Sequence, residues 1–179
     1  MLKKIEAFLN IFYKTKGRHV FSLFLGMCIP FLPVQTFMAF FLAIRALGKD
    51  IENKSIISLL SLPFRRRELF ILFWIIGLFL ITVATFVSWI FVKTISLYSL
   101  IYLFVFFTFY YGVATFFASK ERSVFGMTLL VLIVDAIFLS IPGYPDISVI
   151  TQANSLYSSL FALFALGLGY YEFVYKYEG

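Results

Sequence analysis

The residues able to do chemistry in this chain are few, and most fall in short polar stretches between long apolar runs. Its one histidine, His19, lies beside a basic tail, so a Ser-His-Asp arrangement has a single, poorly placed member. The nine acids are scattered rather than paired, and no His, Cys and carboxylate residues show metal-ligand spacing. No G-x-x-x-x-G-K-[ST] phosphate loop occurs, so the chain does not read as an ATPase. What stands out is Asp135, in the middle of LLVLIVDAIFLS. A carboxylate at the centre of a bilayer costs at least about 2.5 kcal/mol on insertion scales, so it must face protein or water. Asp135 is therefore a candidate for a substrate path or proton relay, beside the plainer role of a protonated acid bonded to a neighbouring helix. Gln35, just beyond Pro33, is a second substrate-path candidate.

The elements that position these residues are set by hydrophobicity. Of 179 residues 62% are hydrophobic and 13% charged, against roughly 25% charged in soluble domains. A chain this small cannot hide so much apolar surface in its own interior, so lipid must cover it. A crossing helix needs roughly 20 apolar residues. Runs at 69–92, 95–118, 123–141 and 155–175 meet that length. A fifth stretch, 19–47, carries Pro30 and Pro33 near its middle and reads as a helical hairpin, its two arms short enough to be re-entrant. Residues 1–18 read as an interfacial helix, with Ile5, Phe8, Leu9 and Phe12 at helical spacing. The whole chain forms a single transmembrane domain.

Charge orients the helices. If 19–47 crosses twice, fourteen of the fifteen Lys and Arg residues share one side and only Lys93 lies opposite. The positive-inside rule then gives about six transmembrane helices in an all-α membrane protein, with both termini cytoplasmic. The net charge of +6 is confined to short loops, so it orients the chain in the cell membrane and does not point to nucleic acid.

Between the second and third spans, Asp50 and Glu52 open a pattern in which Ile56, Leu59, Leu60 and Leu62 recur near helical spacing. Acids suit the positive end of a helix dipole, and Pro63 ends the element before Arg65, Arg66 and Arg67. Residues 50–63 thus read as a short amphipathic helix on the cytoplasmic surface. The segment resembles one in the permease subunits of ABC transporters of the type-2 exporter class. There an acidic cluster, a Gly-Thr pair and a Leu-Leu-x-x-Pro run precede a basic residue. Asp50 and Glu52 stand in the acidic place, Lys54-Ser55 replaces Gly-Thr, Leu59-Leu60-Ser61-Leu62-Pro63 matches the run, and Arg65 follows.

The resemblance implies a coupling helix that docks on a separate nucleotide-binding subunit, where ATP and Mg are held, and a second permease copy or related permease. It implies a transport subunit rather than an enzyme. A membrane scaffold or regulatory subunit, and a small lipid-acting enzyme using Asp135, are the alternatives from other classes. A final feature concerns packing. Ser158, Ala162, Ala165 and Gly169 form a small-residue stripe on the last span, suited either to close helix packing within the chain or to a subunit interface.

Overall fold

A computed structural model describes residues 2–54, 64–91, 97–139 and 156–176. Three of its helices are long and apolar enough to cross a membrane: Arg66–Phe91, Leu97–Ser119 and Leu156–Lys176. The described residues form six helical rods. Helix α1 is Leu2–Met27. Helix α2 is Leu32–Ala43, continued through a π-turn at Ile44–Gly48 and a last helical turn at Lys49–Glu52. Then come α3 (Arg66–Phe91), α4 (Leu97–Ser119), α5 (Val124–Leu139) and α6 (Leu156–Tyr171, with a π-turn at Glu172–Lys176).

The first hairpin shows how the sequence dictates its turn. A residue before proline is pushed out of the helical region, so Ile29-Pro30 closes α1. Phe31 is extended, and Pro33, lacking an N–H, sits in the first turn of α2 where none is needed. The arms pack antiparallel, with Gly26 against Met38 and Lys16 against Arg45 and Ala46. At the α4–α5 turn Glu121 takes a left-handed φ of 56°, and the Arg122 N–H returns to the Phe117 carbonyl. This hydrogen bond closes the helix end that a glycine more often closes.

Helix α4 is apolar on every face and forms the central strut. Tyr110 and Tyr111 are fully buried in it, and the Tyr111 hydroxyl donates to the Phe70 carbonyl of α3 at 2.8 Å. The absence of a side chain at Gly77 makes the seat for the Phe107 ring. On the opposite side α4 and α6 approach almost backbone to backbone. A Cβ on Gly112 would lie 2.4 Å from the Ala165 carbonyl carbon, and one on Gly169 would lie 2.5 Å from the Gly112 oxygen. Outward faces carry exposed Phe79, Phe86, Ile90, Leu160 and Phe164, the surface of a chain solvated by lipid rather than water.

Two boundaries differ from the sequence reading. No break separates residues 1–18 from a hairpin at 19, because one helix runs from Leu2 to Met27. Helix α1 accommodates its charges because Lys14 and Arg18 are exposed and Lys16 finds partners on α2. Asp50 and Glu52 do not open a new helix at 50. They close α2, which ends at Glu52 with Lys54 left-handed at φ 57°. Acids at a helix C-terminus are disfavoured by its dipole, and here Lys16 and Lys49 offset them. The stretch carrying Ser55, Leu59, Leu60 and Pro63 lies outside the described residues.

Candidate functional site

The charged residues gather at one end of the bundle. The end of α2, the start of α3, the α4–α5 turn and the end of α6 all meet there. Lys16 of α1 forms an ion pair with Asp50 while its Nζ donates to the Arg45 and Ala46 carbonyls at 2.9 and 2.5 Å. The widened π-turn presents both carbonyls to it. The ammonium also sits 4.6 Å from the centre of the Phe73 ring. Phe73 is seven residues into α3 from Arg66, so the pair lies about 10 Å deeper than the helix's first arginine. Both side chains are 13% exposed, so this is a largely buried ion pair that pins α1 to α2. Asp50 is thus largely engaged by Lys16, and it also lines the hollow between α1 and α2.

Glu52 pairs with Lys49 at 2.6 Å and, with Lys54, Glu121 and Arg122, lines a polar hollow of about 300 Å³. Gly48 packs this end closely on Val124 and Ala114, so the α2 terminus and the α4–α5 turn share one surface. Arg65 is exposed, and its backbone N–H donates to Glu68 at the start of α3. Lys54 and Arg65 therefore flank residues 55–63 where the chain leaves and re-enters this polar end. A second hollow, about 310 Å³, opens between α1 and α2, lined by the Lys16–Asp50 pair together with His19, Arg45 and Asn53. Glu172 pairs with Lys176 at 3.4 Å, as its spacing suggests, and also with Lys120 at 3.3 Å.

The other candidates are placed elsewhere. Gln35 is buried, and its amide donates to the Met27 carbonyl and to Ser88 Oγ, both at 3.0 Å. Ser88 in turn donates to the Cys28 carbonyl at 3.0 Å. This clasp fixes the first hairpin's turn to α3, and it is Gln35's neighbour Thr36 that lines an open groove. Asp135 is buried and accepts a hydrogen bond from the Tyr110 hydroxyl at 3.2 Å. Ser158, Ala162, Ala165 and Gly169 are all buried within the chain, with Ala165 and Gly169 directly against Gly112 of α4.

Sequence reasoning missed Lys16, Ser88, Tyr110 and Lys120 as partners of these groups. None of these four carried a signal in the sequence, because each partner lies on a different helix. Among the described residues no three His, Cys, Asp or Glu side chains come together as a metal site would require. The architecture is that of an all-helical chain with three helices able to cross a membrane and one strongly charged end. No protein-family model, curated protein or solved structure matches it.

Proposed function

We propose that the chain is the membrane-spanning permease subunit of an ATP-driven exporter, with its charged end in the cytosol as the docking face for a separate ATPase. The observation that carries this reading is the polar surface shared by the α2 terminus and the α4–α5 turn. From it runs the segment with the Leu59-Leu60-Ser61-Leu62-Pro63 resemblance, and Arg65 marks its return. A segment joined directly to two long helices is a suitable lever for converting a nucleotide-dependent movement into a membrane-state change.

In this reading all six rods cross or enter the bilayer, both termini are cytosolic, and the chain works with a second permease. Glu52, Lys54 and Arg65 contact the ATPase, while Asp50 acts from inside by holding α1 to the lever's root. Support comes from the alternation of the rods. The Gln35–Ser88 clasp lies at the end away from the charges, and Lys16, Gly48 and Glu172 lie at the charged end.

The test is co-purification of tagged protein from its native membranes. An ATPase subunit should accompany it, and reversing Glu52, Lys54 and Arg65 together should release that subunit while the chain stays folded. An ATPase that stays bound to the triple variant refutes the docking face. Binding without cargo-stimulated hydrolysis would identify a scaffold and reject the permease.

A further inference from the structure

On the flank of the bundle, α2, α4 and α5 enclose a groove of about 430 Å³. Its walls carry six aromatic rings: Phe37, Phe40, Phe41, Tyr102, Phe106 and Phe125. The volume falls within the range that holds a small organic ligand. The rings are mutually braced. Phe41 meets Phe37 edge-on at 4.8 Å and stacks on Phe125 at 6.1 Å, while Phe106 stacks on Tyr102 at 6.0 Å.

Behind this wall lies a carboxylate. The Tyr110 ring touches both Phe40 and Phe106, at 5.3 and 4.6 Å, and its hydroxyl donates to Asp135. Asp135 is one helical turn beyond Leu132, itself a groove residue, so both lie on the same face of α5. Across Leu32–Ala43, α4 and α5, Asp135 is the only acidic or basic side chain. The groove thus combines aromatic faces, which carry negative potential, with an acid close behind them and no cation in its three walls. A neutral apolar guest gains burial alone, and an anion is repelled. A hydrophobic cation gains from burial, from the ring faces and from the carboxylate.

We propose that the α2–α4–α5 groove is a binding site for a hydrophobic organic cation, of quaternary ammonium or phosphonium type, with Asp135 as its counter-charge. The inference concerns binding to this chain alone and does not depend on transport or on an ATPase.

The test compares tetraphenylphosphonium with tetraphenylborate, ions of like shape and opposite sign. Binding to the purified full chain in detergent is measured by equilibrium dialysis, with protein-free micelles subtracted. The cation should bind saturably, one per chain, at least about tenfold tighter than the anion. Asp135→Asn should lower cation affinity about tenfold and strengthen, not weaken, any binding of the anion. Phe37→Ala, at a largely exposed wall position, should weaken the cation severalfold without unfolding the chain. Equal affinity for the two ions in the unaltered protein, or a preference for the anion, overturns the proposal whatever the variants do. So does full cation binding by a folded Asp135→Asn or Phe37→Ala chain.

Discussion

Replacing Lys16 by methionine keeps most of the apolar stem of the side chain and removes its charge. Three groups lose their contact with Lys16 at once: the Asp50 carboxylate and the Arg45 and Ala46 carbonyls. Breaking a buried ion pair from one side typically costs about 3–5 kcal/mol, because the remaining charge is stranded in a poor solvent. We therefore expect Lys16→Met to destabilise the fold by about 4 kcal/mol. Asp50→Asn should cost less, about 2 kcal/mol, because Lys16 keeps both carbonyl bonds and an amide still accepts from it. In the double variant neither charge is stranded. Its loss should fall short of the sum by about 2 kcal/mol, a factor of about thirty in the unfolding equilibrium. The assay is SDS-driven unfolding in mixed micelles, read by the fluorescence of Trp74, whose indole N–H bonds Thr108 on α4 at 3.2 Å. Exchanging the two charges should restore only part of the stability, since an aspartate at 16 cannot donate to the π-turn carbonyls. Losses that add to within about 0.5 kcal/mol would show that the two side chains do not interact, and the latch between α1 and α2 would be refuted.

Other sites give independent checks. Gly112→Val should abolish close packing of α4 on α6 and cost about 3 kcal/mol or more, because its Cβ meets backbone that cannot rotate away. Gly167→Ala, with nothing within 4 Å, should leave stability unchanged or raise it by about 0.5 kcal/mol, measured by the same unfolding. Gln35→Leu removes the donor that holds the Met27 carbonyl and Ser88, and should cost about 1–3 kcal/mol. Thr36→Val, whose hydroxyl bonds the Leu32 carbonyl one turn earlier in its own helix, should cost under about 1 kcal/mol. Glu172→Gln frees Lys120 and Lys176, both about half exposed, so its effect should stay below about 1 kcal/mol and vanish in high salt.

How much of this was legible in the sequence depended on whether the cause was local. Helices α3, α4, α5 and α6 could be read because a continuous apolar run needs no partner to be recognised. The small residues on α6 were readable as a packing face from their 3–4 spacing, and the structure buries all four against the chain itself. Helix α1 was not readable as one element. Its charges interrupt the hydrophobic pattern, and the residue that excuses Lys16 lies more than thirty positions away at Asp50. Asp50 and Glu52 misled for a related reason. Their acidity suits a helix start, and only the basic partners supplied by tertiary structure let them end one. Gln35 showed its polarity but not its task, because the clasp with Ser88 joins two helices through a turn that spacing cannot reveal. Asp135 was recognisable as costly in an apolar run, whereas Tyr110 looked like one aromatic residue among many.

The proposed function stands on the side of the membrane that the α2 terminus faces. With Cys28, the single native cysteine, replaced by alanine, a cysteine at exposed Asn53 can be probed with a membrane-impermeant maleimide. Intact cells should leave it unlabelled and inverted vesicles should label it fully, which would put the α2 terminus within reach of an ATPase. Labelling in intact cells would place that surface outside, and no ATP-driven partner could grip it there.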